Sequence, residues 1–186
     1  MALRLGHRHS LDFDFFSATS FLPAALQRAL PFAEGAEVLQ MRENTLSLRG
    51  AAPDEVQVSF FGGLRMAQVA PDDVCPDNGV RVASARDLLA TKLNTVFQRA
   101  EAKDYVDIHA LLRSGLALAD GLACAQAVYG SGFNATLPLK ALTFFADGDL
   151  PALPTSVCQD LIAAVRSVHS IPAVTPFAPR IGGGSV

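Results

Sequence analysis

No glycine or proline interrupts the chain between Ala83 and Ser114. Gly and Pro are the strongest local punctuators, so a run this long reads as helix. Leu88, Leu89, Leu93, Val96 and Phe97 fall on one stripe of it. It is long for one helix, and the spacing predicts a break near Arg99 to Ala102 and a stop at Gly115. Before residue 83 the pattern is different. "LDFDFFS" (11–17) alternates, placing Leu11, Phe13 and Phe15 toward a core and Asp12 and Asp14 on the opposite face. "AEVLQMREN" and "TLSLRG" read as a hairpin turning near Glu43-Asn44. "EVQVSFFGG" reads as a further strand after a "GAAPD" turn, and "VRVAS" as a short one feeding a helix capped by Ser84. A short helix is expected after Pro23, and others at 118–129, 135–146 and 155–168. "APDDVCPDNG" reads as a loop. Strands followed by a helical block argue for an α/β (α+β) fold, a mixed sheet with flanking helices and a helical C-terminal part. The expected parts are 1–83, a sheet region; 84–171, a helical region; and 172–186, an extended, loosely held Pro/Gly-rich tail.

Half of the 186 residues are hydrophobic and 18% are charged, which suits a chain with a sizeable core. The net charge of -3 excludes the broad basic surface of a general nucleic-acid binder. Three scattered cysteines argue against a disulfide framework or a structural zinc. No apolar run reaches the roughly 18–20 residues of a membrane span, and the charged amino terminus lacks a signal-peptide core. A cytoplasmic protein is expected.

Two places concentrate chemistry. Asp12 and Asp14 project to one side of a strand, where like charges conflict unless solvated or shared by a cation. Mg²⁺ takes oxygen ligands and is usually held by one or two carboxylates plus substrate phosphates. The pair is therefore either a solvated edge or a platform for phosphoryl or nucleotidyl transfer. "GHRHS" just before it supplies Gly6, Arg8 and Ser10, a turn suited to a phosphate, with His7 and His9 read as loop or capping residues. The second place is "KLNTVFQRAEAKDYVDIHALL". Lys92, Arg99 and Lys103 are spaced seven and four apart and could share a helix face. Asp104 and Asp107, three apart, are also helix neighbours. Lys92 sits inside an apolar segment and must either snorkel to water or enter a polar cleft.

Taken together, "LRLGHRHSLDFDFF" and "VASARDLLATKLNTVFQRAEAKDYVDIHALL" resemble the nucleotidyltransferase AbiEii/AbiGii toxin family, within the DNA polymerase β-like nucleotidyltransferase superfamily. The resemblance implies that Asp12 and Asp14 are the metal-binding pair for Mg²⁺ or Mn²⁺. It implies that Lys92 faces nucleotide phosphates, with Arg8, Arg99 and Lys103 nearby, and that Asp104 and Asp107 match a "KDxxD" segment completing the site. It further implies an NTP substrate, an acceptor that is tRNA in some members, a cognate antitoxin, and a type IV toxin–antitoxin or phage-defence setting. Two departures stand out. Family members carry a Gly-Gly-Thr or Gly-Ser element before the first block, whereas this chain starts at "MALRLG", as if truncated. Polymerase β-like enzymes often carry a third carboxylate on a later strand, and the matching residue here is Ser59. The competing reading is a catalytically impaired binding module; a third is a phosphodiesterase or nuclease using the same acidic pair.

Overall fold

Alternating strands and a punctuation-free helical run can be satisfied together only if each buries its apolar side within its own layer. A computed structural model describes residues 2–51 and 55–182. The expected "GAAPD" turn lies partly outside these residues. The chain divides into two units, one formed by Leu3–His7 with Ala67–Ala178, the other mainly by Arg8–Met66.

The second unit is built on a four-stranded sheet in the order β1-β4-β3-β2, with β1 Asp12–Phe16, β2 Glu37–Arg42, β3 Thr45–Arg49 and β4 Gln57–Phe61. β1 runs parallel to β4, and the other pairs are antiparallel. The β2–β3 hairpin turns at Glu43-Asn44 as its sequence predicts, with Asn44 at φ 55°; Asn is among the few residues that tolerate this region. Helix α2, Pro23–Ala29, starts at the expected proline. One sheet face is apolar: Leu46 and Leu48 pack with Ala33, Leu26, Leu30, Phe21 and Phe60. After β4, Gly62 is required sterically, because a Cβ there would lie 2.5 Å from the Phe21 ring and 2.7 Å from the Thr19 carbonyl oxygen.

The expectation that the phenylalanines of β1 are buried is corrected. Phe13 is 38% exposed, Phe15 41% and Phe16 50%. The alternation is real, but β1 is an edge strand and α2 packs over β2 and β3. Phe15 stacks on Phe60 and Phe16 on Phe61, with ring centroids 5.2 and 5.4 Å apart.

The first unit is helical. It contains α3 Ala85–Thr95, α4 Ala102–Arg113, α5 Leu118–Tyr129, α6 Thr136–Ala141 and α7 Thr155–Arg166. The long run breaks between Thr95 and Ala102, as its length demands. Leu89, Leu93 and Val96 are buried, while Leu88 and Phe97 are half-buried. Ser84 caps α3, accepting from the Asp87 amide at 3.0 Å. Asp87 is buried in turn, accepting from the amides of Val69 at 2.8 Å and Ala70 at 3.3 Å. The predicted loop at 70–79 contains a two-residue strand, β5 Asp73–Val74, pairing with β6 Arg81–Val82. The tail is less loose than expected at one point: Ala178 is buried and exchanges two backbone hydrogen bonds with Gln68. Among the described residues no single helix is long and apolar enough to cross a membrane.

Candidate functional site

On β1 the acidic pair lies on the polar face of the sheet. In-register neighbours share a face. Asp12 therefore stands in a row with Gln57, Arg49 and Glu37, and Asp14 with Ser59, Ser47 and Gln40. The 3.0 Å ion pair between Arg49 and Glu37 joins two members of the first row. Asp12 and Asp14 are both exposed. Ser59, opposite Asp14, is buried, and the Ser47 hydroxyl donates to its oxygen at 3.0 Å. A hydroxyl engaged with another hydroxyl is no substitute for a third carboxylate. Among the described residues no group of three or more His, Cys, Asp or Glu side chains could hold a metal. Two carboxylates on β1 match the number with which a protein usually holds Mg²⁺; among the described residues they do not extend to a site of three protein carboxylates.

The residues before β1 divide between the units. Helix α1, Ala2–Leu5, ends at Gly6, whose φ of +58° favours glycine although no atom crowds its Cβ position. In the same unit as the sheet, Arg8 Nη1 donates to the His9 carbonyl at 3.0 Å, and Ser10 Oγ lies 3.5 Å from the Asp12 carbonyl oxygen.

The helical unit gathers the second cluster. Asp104 and Asp107 are one turn apart on α4 and fully buried. Lys92 of α3 reaches both, with Nζ 2.7 Å from Asp104 Oδ1 and 2.8 Å from Asp107 Oδ2. Its side chain is only 19% exposed, and the ammonium meets the two buried carboxylates rather than water. Arg99 grips Asp104 with two nitrogens, Nε at 2.8 Å and Nη2 at 3.3 Å. Burial pushes the Asp104 carboxyl up, but hydrogen bonds from Arg99 and Lys92, with their charges, outweigh it and hold the group below the ordinary carboxylate range. The expected shared helix face is corrected: Arg99 lies in the linker after α3 and Lys103 on α4, on the far side of the break. Lys103 pairs with Glu101 at 3.2 Å.

His7 joins this cluster, a role its sequence position did not suggest. Its Nε2 lies 2.7 Å from Asp107 Oδ1, so Nε2 carries the proton and the carboxylate accepts it. Its Nδ1 is buried without a hydrogen-bond partner. The result is an alternating chain of His7, Asp107, Lys92, Asp104 and Arg99. Nothing in the local sequence links residue 7 to residue 107; only the packing of α1 within the helical unit does.

The family model described as "Nucleotidyl transferase AbiEii toxin, Type IV TA system" matches residues 1–174. No curated protein matches the chain.

Proposed function

Because the chain belongs to the nucleotidyl transferase AbiEii toxin family of type IV toxin–antitoxin systems, we propose that it transfers a nucleotide from an NTP to an acceptor such as tRNA, and that a cognate antitoxin restrains it. The observation that carries this reading is the pair Asp12 and Asp14, exposed together on the polar face of β1. These two carboxylates would hold Mg²⁺ or Mn²⁺, which when bound supplies charge neutralisation at the transferring phosphate. The chain's own residues do the rest. Gly6, Arg8 and Ser10 lead into the pair and suit the phosphates of the incoming NTP. In the helical unit, Lys92 would meet nucleotide phosphate by exchanging part of its contact with Asp104 and Asp107, and Arg99 and Lys103 would do so by leaving Asp104 and Glu101.

The test is transfer of labelled nucleotide from each NTP to total RNA in the presence of Mg²⁺. Asp14→Ala is expected to lower the rate by at least about a hundredfold, since a bound metal supplies several kcal/mol of transition-state stabilisation. Unchanged transfer in that variant would remove the acidic pair from the reaction.

A second reading has its own support. Ser59 occupies the position opposite Asp14 and is tied to Ser47, so the in-register neighbour of Asp14 on β4 is a hydroxyl and not a third acid. A chain with that deficit would bind NTP and metal without turnover. Calorimetry showing tight NTP binding, with no transfer to RNA or protein, would favour this binding module over the enzyme.

A further inference from the structure

Within the helical unit lies a cavity of about 460 Å³ that neither reading above uses. That volume falls inside the range of small-molecule sites, roughly 300–1,000 Å³. Its walls come from the linker after α3, from α4, and from α6 with the segment that follows it. Three contacts hold these walls together. The Tyr105 hydroxyl donates to the Ala141 carbonyl at 3.2 Å. The Ala102 amide, at the start of α4, donates to Asp149 Oδ1 at 2.6 Å. Gly148 sits so close to the Ala100 carbonyl oxygen that a Cβ there would overlap it. The space is therefore formed before any occupant arrives, as small-molecule sites usually are.

Most of the wall is apolar. Phe97, Leu137 and Phe144 line it, and Leu137 and Phe144 are 41% and 54% exposed. Among the charged groups on the wall, Arg99 is already committed, its Nε 2.8 Å from Asp104 and 3.6 Å from Glu101. Lys140 and Asp147 are not: among the described residues neither has an ion pair or a side-chain hydrogen bond. They line one cavity yet do not pair with each other. Burial, then the charges of Asp104 and Asp147, push the Tyr105 hydroxyl up to about 12, so the Asp147 carboxylate lies close enough to act on that wall.

This combination restricts the occupant. A purely apolar molecule would take water from both charges and give no partner in return. A simple anion would meet Lys140 but also Asp147, and a simple cation the reverse. A metal ion would find a single carboxylate. A molecule that carries a carboxylate, an ammonium and an apolar body satisfies all three features at once. We propose that this cavity binds an α-amino acid with a large apolar side chain, its carboxylate on Lys140, its ammonium on Asp147 and its side chain against Phe97, Leu137 and Phe144. Both polar contacts are charge-assisted, the stronger class of hydrogen bond. The site goes beyond the transferase reading and does not rest on it, since Asp12 and Asp14 belong to the other unit.

Calorimetry and ligand-observed NMR on the unmodified chain test it with leucine, phenylalanine and glycine, and with two analogues that each lack one charge. Phenethylamine lacks the carboxylate and 3-phenylpropanoate lacks the ammonium. Leucine or phenylalanine is expected to bind saturably, with glycine and both analogues weaker by at least about tenfold, the scale of one lost charge-assisted contact. Lys140→Ala should bring phenylalanine down to the level of phenethylamine while leaving phenethylamine unchanged. Asp147→Asn should do the same relative to 3-phenylpropanoate. Both positions are exposed, so the variants keep the fold, which an unchanged thermal melt verifies. No saturable binding of leucine or phenylalanine overturns the proposal. So does equal binding of either analogue, or an affinity for phenylalanine that either variant leaves unmoved.

Discussion

At the scale of single residues, Lys92 decides whether two fully buried carboxylates are tolerable. It bridges Asp104 and Asp107 at 2.7 and 2.8 Å; Arg99 also holds Asp104 and His7 also holds Asp107. Breaking a buried ion pair from one side commonly costs 3–5 kcal/mol, because the other charge is left uncompensated. Lys92→Met should therefore lower the unfolding free energy at neutral pH by about 3 kcal/mol, measured by urea denaturation. A loss under about half a kcal/mol would show that the bridge is energetically idle. Asp104 adds a pH signature. Its carboxyl is held below the ordinary aspartate value of 3.8 in the folded chain, by Arg99 and Lys92 against the effect of burial. In the window below that value the unfolded chain binds more protons, so stability rises with pH there. The contribution is complete above about 3.8 and disappears as pH falls through the lower folded value. Asp104→Asn should flatten the acid limb of a stability–pH curve; an unchanged limb would mean other carboxylates carry it.

At the scale of elements, the start of α3 rests on Ser84 and Asp87 acting together. The cap accepts one orphan amide, and Asp87 collects the amides of Val69 and Ala70 as well as the Ser84 hydroxyl. Ser84→Ala should cost about 1 kcal/mol, the usual worth of an N-cap. Asp87→Ala should cost more, because it strands three donors, two of them backbone amides. Thermal melts that rank the two in the opposite order would contradict this. The cap was legible in "VASARD", since Ser followed by an acid three residues on is a local signal. The distant amides were not, because 69 and 87 meet only through the β5–β6 turn. The same division runs through the sheet. Alternation in "LDFDFFS" announced a strand and which residues share a face, but not that β1 is the edge, so the burial of its phenylalanines was misjudged. Strand order is set by non-local pairing that no single segment encodes. In the ion cluster, Asp104 and Asp107 were legible from their spacing on one helix, whereas His7 was not.

For the whole molecule, the question is how a chain with 18 acidic and 15 basic residues would hold an RNA. Arg42, Arg49, Arg65, Arg81, Arg86, Arg99 and Lys103 could form a basic surface only if the fold left them available together. Four of them already face carboxylates: Arg49 with Glu37 at 3.0 Å, Arg81 with Asp72 at 3.0 Å, Arg99 with Asp104 at 2.8 Å, and Lys103 with Glu101 at 3.2 Å. A cation paired within the protein neutralises little phosphate, since contacting RNA means surrendering its carboxylate. Few condensed counterions would then be released on binding. Each phosphate contact adds about -0.7 to the slope of log K against log salt for a single strand. With at most three contacts, from Arg42, Arg65 and Arg86 while the other four keep their carboxylates, the slope should be no steeper than about -2. Anisotropy titrations of labelled RNA across a tenfold range of salt would measure it. A much steeper slope would mean that the paired arginines exchange their carboxylates for phosphates on binding. A shallow one would place recognition in local contacts, where aromatic stacking and a few cations select the ligand and the overall charge of the chain has little say.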